Sequence, residues 1–214
     1  MKDSDHRFQF YGRRKGHALR RHHLELVEEL LPKLRFDVAE LKAPPRWLEI
    51  GFGGGEHLAH LAELHPDTNF IGAEPFVNGV AKLLALIEER KLHNIRIYDG
   101  DARYLLEALP DQSLERIYLL YPDPWPKARH MRRRFVSTGT LAQFHRLLVS
   151  GGLFLFASDI GDYVDWTRQH VAVHSGFTEE GDPSQPYEDW VETRYEAKAR
   201  REGRVPAYLI FRKP

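Results

Sequence analysis

The chain has 214 residues, of which 42% are hydrophobic, so it is long enough to form one domain with a buried core. It contains no cysteine, which excludes a disulfide framework and a thiolate metal site. Its start is polar and basic, and no apolar run reaches about 18 residues, so the sequence predicts neither a secretory signal nor a membrane span and we expect a cytoplasmic protein.

The net charge of zero hides a separation of charge along the chain. Residues 1–23 hold seven Lys or Arg and two acids, and residues 126–150 hold six Lys or Arg and no acid. The segments 24–125 and 151–214 are both acidic overall. Two basic segments on an acidic body are typical of a protein that binds a polyanion, although each run alone also fits a solvated surface.

The N-terminal region is predicted to be a flexible basic arm, residues 1–18, followed by a single domain over residues 19–214. From Leu19 onward, apolar residues recur at helical spacing, and Pro32 predicts that this first helix ends near Leu31 to Lys33. A connector follows and ends at Pro44-Pro45.

From position 47 the pattern alternates between strands and helices. Short apolar runs predict strands over Trp47–Ile50, Asn69–Ala73, Asn94–Tyr98, Arg116–Tyr121, Leu153–Ser158 and Ala207–Arg212. Amphipathic stretches predict helices over Glu56–Leu64, Val77–Arg90, Ala102–Leu109, Gly139–Leu148 and Tyr163–Ser175. This alternation indicates βαβ units and therefore an α/β, Rossmann-like, doubly wound and mostly parallel sheet. Gly151-Gly152 predicts the turn from a helix into the fifth strand, and we expect the last strand to pair antiparallel beside the fifth.

The first predicted strand ends in a glycine-rich turn, Trp47-Leu-Glu-Ile-Gly-Phe-Gly-Gly-Gly55, directly before a helix. Gly51, Gly53 and Gly55 allow a sharp backbone turn with no side chain between the main chain and a ligand. No basic residue lies in this turn, and Glu49 and Glu56 flank it, an environment that favours a cationic ligand over a phosphate. A ligand with an ammonium and a sulfonium group, S-adenosylmethionine, fits this pattern.

Two further acids follow the next two predicted strands. Glu74 ends the second strand and can accept hydrogen bonds from ribose hydroxyls. The third strand leads into Asp101-Ala102, where a carboxylate can accept a hydrogen bond from the adenine amine. The alternative is that these acids cap helices, which is a common role for Asp and Glu.

The fourth strand leads into a rigid turn with Asp123, Trp125 and Lys127 between three prolines. The basic run that follows is predicted to hold RNA phosphates, through Arg129, His130, Arg132, Arg133 and Arg134. Cationic residues of the arm would add contacts: Arg13, Arg14, Lys15, Arg20 and Arg21. Such contacts favour recognition of RNA shape over the reading of base edges.

Four segments together resemble the bacterial tRNA (guanine-N7-)-methyltransferase family, over roughly residues 45–214. They are Glu49 to Gly55, Pro122-Asp-Pro-Trp-Pro-Lys127 with its basic tail, Ser158-Asp159, and Thr193-Arg-Tyr-Glu196. The resemblance implies the seven-stranded methyltransferase fold and methyl transfer from S-adenosylmethionine to N7 of guanine 46 in the tRNA variable loop. The family often has His in place of Pro126 and a shorter hydrophobic residue in place of Pro75, but neither position has a named role.

The same resemblance implies roles for individual residues. Asp123 is implied to be the catalytic residue. The implied donor-binding residues are Glu49, Gly51, Gly53, Gly55, Glu74, Asp101, Ala102 and Asp123. The implied substrate-binding residues are Lys127, Asp159, Thr193, Arg194, Tyr195 and Glu196. Thr193 and Glu196 also have the spacing of a capping box at the start of a helix, and both roles remain open at this stage.

Other functions remain to be weighed against this one. The acceptor could be another RNA site or a protein. The fold and Glu74 would also suit an NAD-dependent oxidoreductase, although the Gly-x-Gly-x-Gly spacing disfavours it. A non-catalytic RNA-binding protein could keep the same fold. The histidines, including His22-His23 and His57/His60, lack a third ligand at metal-binding spacing, so we expect no metal site.

Overall fold

A computed structural model describes residues 8–12, 14–40, 46–174 and 176–214 of the chain. Within these residues, seven strands form one sheet in the order β3-β2-β1-β4-β5-β7-β6. The strands are β1 (Trp47–Ile50), β2 (Phe70–Ala73), β3 (Ile95–Tyr98), β4 (Leu114–Leu120), β5 (Leu148–Ser158), β6 (Thr178–Glu180) and β7 (Ala207–Arg212). Strand β7 runs antiparallel to both β5 and β6, so the predicted α/β class with one antiparallel strand near the C-terminus is confirmed.

The chain divides into two compact units. The first comprises the described residues before 46 together with 49–109. Its helices are α1 (Arg21–Glu29), α2 (Leu31–Leu34), α3 (Glu56–Leu64), α4 (Val77–Arg90) and α5 (Ala102–Ala108). All four residues of β2 are buried and pair in parallel with β3 from Phe70↔Ile95 to Ala73↔Tyr98. Continuous burial along so short a strand is what a parallel strand covered on both faces requires.

The second unit comprises residues 46–48 and 110–214. Its helices are α6 (Thr138–Leu147), α7 (Gly161–His174) and α8 (Arg194–Arg201), and a 3-10 segment spans Ala128–Arg133. Helix α6 begins at a capping box in which Ser137 and Thr140 exchange side-chain and backbone hydrogen bonds. The core contains Phe144, Phe154 and Phe211, all of which are fully buried. This aromatic packing stabilises β5 and β7, and the candidate site residue Asp159 directly follows β5.

Most predicted elements lie within a few residues of the observed ones, but two details were wrong. The first predicted helix is two helices, because Pro32 has no N–H to continue the hydrogen bonding of α1 and the helix restarts at Leu31. Gly151 and Gly152 lie inside β5 and do not precede it. A Cβ on Gly152 would lie 2.9 Å from the carbonyl oxygen of Val149, so this glycine serves a close approach within the strand.

Strand β6 is absent from the predictions because its three residues, Thr178–Glu180, carry no apolar pattern. The strand is stabilised by charge, since Glu180 accepts from Arg212 at 2.6 Å and Glu179 accepts from Arg168 at 2.6 Å. Among the described residues, no helix is both long and apolar enough to span a bilayer. The predicted connector ending at Pro44-Pro45 lies outside the described residues, as does Ser175.

Candidate active site

The glycine turn after β1 has the left-handed backbone that its sequence predicts. Gly51, Gly53 and Gly55 have φ angles of +71°, +58° and +79°. Residues with a Cβ rarely adopt this conformation, so the turn depends on glycine. A Cβ at Gly51 would meet nothing within 4 Å, so the backbone is open to a ligand at this position.

Glu74 fixes the glycine turn to the end of β2. One of its carboxylate oxygens accepts from the Gly53 N–H at 2.9 Å and the other from the Phe76 N–H at 3.0 Å. Gly79, which the sequence analysis did not single out, permits this packing, because a Cβ there would lie 2.2 Å from the Gly53 carbonyl oxygen. A glycine within the first turn of a predicted helix was the available signal, since glycine is unfavourable there unless something packs closely.

Glu49, at the end of β1, is buried with 3% exposure and pairs with His57. The distance between its Oε2 and the Nδ1 of His57 is 2.8 Å. His57 lies in the first turn of α3 and is equally buried, so it orients the carboxylate that flanks the glycine turn. A buried charge without such a partner would be strongly destabilising. No group of three His, Cys, Asp or Glu suited to a metal occurs in the described ranges.

Asp101 caps α5, and its carboxylate is buried at the end of β3. Its Oδ1 accepts from the Arg103 N–H at 3.0 Å, and the Arg103 guanidinium forms an ion pair with it. Ala102 follows and is buried at 6% exposure. The cap prediction is confirmed, while adenine binding stays a prediction.

The described part of the N-terminal arm contacts the first turns of α4 and α5, directly after Glu74 and Asp101. The Val77 N–H donates to the Arg14 carbonyl at 3.1 Å. The Asn78 side chain accepts from the Gly16 N–H and donates to the His17 carbonyl, both at 2.8 Å. Phe8 packs edge-on against Tyr104, with ring centroids 5.0 Å apart. Arg13, one of the predicted RNA contacts, lies outside the described residues.

In the second unit, β4 ends at Leu120 and a strained turn follows. Tyr121 and Trp125 have φ angles of +48° and +42°, which residues with large side chains rarely adopt. Asp123 lies between them and is exposed. The Tyr121 hydroxyl is buried, and burial followed by the charge of Glu196 raises its pKa. Strain of this kind often marks a functional site.

The basic loop, residues 127–134, is exposed at Lys127, Arg129 and Arg132. Trp125 anchors it, because the Arg133 guanidinium lies 4.9 Å from the Trp125 ring centroid and His130 packs edge-on against the same ring. Partial burial, and then the charges of Arg133, Arg129, Lys127 and Arg132, lower the pKa of His130. Concentrated positive charge with so few acids suits a phosphate backbone.

Arg134 differs from its neighbours, and its assignment as an RNA contact is corrected by its burial. Its side chain is fully buried and forms an ion pair with Asp162. A guanidinium that is enclosed and already hydrogen-bonded cannot reach a phosphate without leaving its partners.

The remaining predicted substrate residues lie close to the ends of β5 and α8. Asp159 follows β5 and is paired with Arg204. Thr193 caps α8 by accepting from the Glu196 N–H at 3.2 Å. Arg194 and Tyr195 extend from the first turn, and Tyr195 is 46% exposed, with the Arg194 guanidinium 5.0 Å from its ring centroid.

Glu196 does not complete the predicted capping box, because its carboxylate points into a buried aromatic cluster. One oxygen accepts from Trp190 Nε1 at 2.8 Å, and the other accepts from the Tyr208 hydroxyl at 2.5 Å and from Arg200 at 2.7 Å. Its residue exposure is 1%. Glu196 therefore fixes the start of α8. Sequence reasoning missed its partners Trp190 and Tyr208 because no motif spacing marks them. It also missed Arg200, although the i, i+4 spacing from Glu196 was an available signal.

The sequence matches a protein family and several proteins of known name. The model of a family described as "Putative methyltransferase" matches residues 43–208. The chain is 54% identical to the tRNA (guanine-N(7)-)-methyltransferase of Agrobacterium fabrum, over 94% of each chain. It is 53% identical to the enzyme of that name from Rhizobium etli, over 95% of each, and 49% identical to that of Brucella melitensis, over 94% of this chain and 93% of that one.

Solved structures with low sequence identity share the fold. The 16S rRNA methyltransferase KamB superimposes with a TM-score of 0.58 at 16% identity, covering 87% of this chain and 93% of that one. Precorrin-6y C5,15-methyltransferase from Geobacter metallireducens gives a TM-score of 0.54 at 15% identity, covering 89% of each. At such identity the likeness establishes the fold alone.

Proposed function

Because the chain belongs to the tRNA (guanine-N7-)-methyltransferase family, we propose that it methylates N7 of guanine 46 in the variable loop of tRNA, with S-adenosylmethionine as donor. The observation that carries the proposal is the sequence identity of 54% and 53%, over 94% and 95% of this chain, to two relatives whose names state that activity. The alternatives of an oxidoreductase or a non-catalytic RNA-binding protein lose their support with this membership.

The donor is supported by the three buried acids of the first unit. Glu49 lies in β1, Glu74 follows β2 and Asp101 follows β3, and the glycine turn holds no basic residue, which suits a ligand that carries an ammonium and a sulfonium. Carboxylate oxygens are acceptors, which suits a ligand that donates from an amine and from ribose hydroxyls. When bound, S-adenosylmethionine supplies a methyl group on positively charged sulfur.

The chemistry of the acceptor atom, guanine N7, determines which catalytic groups the protein needs. Guanine N7 has a lone pair and no proton, so methylation there requires no general base. We assign to Asp123 the role of accepting hydrogen bonds from the guanine Watson–Crick edge and of stabilising the positive charge that the methylated base acquires. Tyr121 or Trp125 supplies a stacking surface for the base.

The tRNA is held by cations of the second unit that are exposed or partly exposed. In the proposal, Lys127, Arg129, His130, Arg132 and Arg133 contact the phosphate backbone and provide no base readout. Arg194 and Tyr195 contribute contacts from the start of α8, while the buried Thr193 and Glu196 hold that start in place. Asp159 contributes after release from Arg204. Arg14, Lys15, Arg20 and Arg21 supply further charge, and we expect the reaction to take place in the cytoplasm.

A direct test uses labelled S-adenosylmethionine and unmodified bulk tRNA, followed by reductive cleavage at N7-methylguanosine. The proposal predicts label in tRNA and strand scission at one guanine. Label without scission would keep methyl transfer and reject N7. An absence of label, from protein that still binds S-adenosylhomocysteine, would reject tRNA as the acceptor and point to another RNA or a protein.

A further inference from the structure

Arg134 ends the basic loop, and its environment is unlike that of the rest of the loop. Its side chain is 0% exposed, whereas Arg129 and Arg132 are exposed. Arginine suits enclosed sites of this kind because its planar group makes several directed hydrogen bonds at once. The three consecutive arginines from 132 to 134 therefore do not share one function.

The Arg134 guanidinium has a defined partner on each side. Its Nε donates to the carbonyl of Pro124 at 2.8 Å, and its Nη1 donates to the carbonyl of Asp162 at 3.3 Å. Its Nη2 forms an ion pair with the Asp162 carboxylate. The group lies 4.9 Å from the Tyr163 ring centroid and 5.1 Å from that of Trp166. Arg134 thus joins the residue after Asp123 to the first turn of α7.

The turn around Asp123 needs an external donor of this kind. Pro122, Pro124 and Pro126 have no N–H, so the turn has few amides with which to hold itself. The left-handed residues on either side, Tyr121 and Trp125, are strained and persist only where the surroundings enforce their conformation. A hydrogen bond from a charged donor to the Pro124 carbonyl is among the stronger contacts available for this purpose.

The chain that follows Arg134 is fastened to the same helix. The Tyr163 hydroxyl accepts from the Phe135 N–H at 2.9 Å and from the Val136 N–H at 3.3 Å. Trp166 Nε1 donates to the Val136 carbonyl at 2.8 Å. The backbone directly after Arg134 is therefore held against α7, independently of the exposed part of the basic loop.

We propose that Arg134 is a positioning residue for the reaction, which holds the Pro124 carbonyl and so sets the direction of the Asp123 carboxylate. The inference rests on the proposed function, because it assigns importance to the placement of Asp123. It separates the basic loop into exposed residues that bind RNA and one buried residue that orders the catalytic turn.

The test compares Arg134→Lys and Asp162→Asn with Asp111→Asn, which likewise neutralises an exposed carboxylate paired with an arginine, Arg146, but outside the proposed site. Lysine keeps the charge but cannot donate to Pro124 and Asp162 in the same geometry. Asp162 is 58% exposed on its side chain, and Asn keeps an acceptor oxygen for the buried guanidinium, so this replacement weakens the anchor with less disturbance of folding than a change at Arg134. Single-turnover methyl transfer is measured at saturating S-adenosylmethionine and tRNA, beside the Kd of tRNA over a salt series and the thermal midpoint.

We expect both anchor variants to lower the saturated rate about tenfold or more, with the Kd of tRNA unchanged within about threefold. Asp162→Glu keeps the carboxylate, so its saturated rate should be much closer to wild type than that of Asp162→Asn. Asp111→Asn should leave the saturated rate, the Kd of tRNA and its salt slope close to wild type.

Saturated rates at wild-type level in Asp162→Asn and Arg134→Lys would overturn the proposal. A loss of tRNA affinity with a normal saturated rate would also overturn it, because Arg134 would then be an RNA contact. If Arg134→Lys lowers the thermal midpoint strongly, Asp162→Asn decides alone. Absence of methyl transfer in the wild-type protein would instead reject the proposed function, so the two failures are distinguishable.

Discussion

The two acid-bearing regions of the molecule hold their carboxylates in different ways. In the first unit, Glu49, Glu74 and Asp101 are 3%, 9% and 4% exposed, and each has a partner within that unit. In the second unit, Asp123 is exposed on a proline-rich turn and is followed by a run of exposed cations. Fixed, buried acids suit a small cationic ligand, whereas exposed charge on a rigid turn suits a large polyanion that supplies its own partners.

Replacement of Asp123 should have the largest effect on the reaction. Replacement by Asn keeps the shape of the side chain and removes its charge, and we expect turnover to fall about 100-fold, as for loss of one group that stabilises a transition state. Binding of tRNA should change by less than about threefold, because the carboxylate acts on the charge that forms in the reaction. Turnover within about threefold of wild type would remove Asp123 from the proposed mechanism.

The exposed cations provide the second contrast. Alanine at Arg129 and Arg132 together should weaken tRNA binding by about tenfold or more at low salt. The slope of log K against log salt should fall by about 0.7–0.9 for each phosphate that the variant no longer neutralises. Rates at saturating tRNA should change little. Equal affinity and an equal slope in the variant and the wild type would show that the loop is a surface that does not bind RNA.

Gly79 tests the rigidity of the donor-binding turn. Alanine there would place a Cβ 2.2 Å from the Gly53 carbonyl oxygen, so the first turn of α4 must move, at a cost of about 1–3 kcal/mol in stability. We expect about tenfold weaker binding of S-adenosylhomocysteine by calorimetry, since the hydrogen bond between Glu74 and Gly53 is displaced.

The matched control for Gly79→Ala is Gly139→Ala in α6. The nearest atom to a Cβ at Gly139 is the Ser137 Oγ at 4.0 Å, so alanine fits and should stabilise the helix by up to about 1 kcal/mol. If both glycine variants bind S-adenosylhomocysteine like wild type, the close approach at Gly79 has no bearing on the donor site.

The smallest expected effect concerns the buried network of Glu196. Burial, and then the hydrogen bond to Glu196, raise the pKa of Tyr208 to about 12. Below the unfolded value of about 10, both states hold the proton and the stabilisation is complete; between about 10 and 12 the unfolded chain alone releases it, so stability falls. The free energy of unfolding from urea titrations should therefore decline less steeply above about pH 10 in Tyr208→Phe than in wild type. The same decline in both would assign the alkaline loss to other groups.

The first unit was more predictable from sequence than the second. Glycines, strand ends and acids at regular spacing follow from local rules, so β1, β2 and the residues Glu49, Glu74 and Gly53 were foreseen. The burial of Arg134 and Glu196 was not, because their partners Asp162, Trp190 and Tyr208 come from elements that are distant in sequence or leave no periodic signal. Long-range pairing of charged residues is decided by tertiary packing, which a local pattern does not encode.

Methylation of one guanine atom at one tRNA position can be measured with a pair of transcripts that differ only in base 46. One carries guanine at position 46 and the other adenine, and both receive labelled S-adenosylmethionine and the full-length protein. The account predicts label in the guanine transcript, with reductive scission at position 46, and none in the adenine transcript. Equal label in both transcripts, or scission at another guanine, would contradict it.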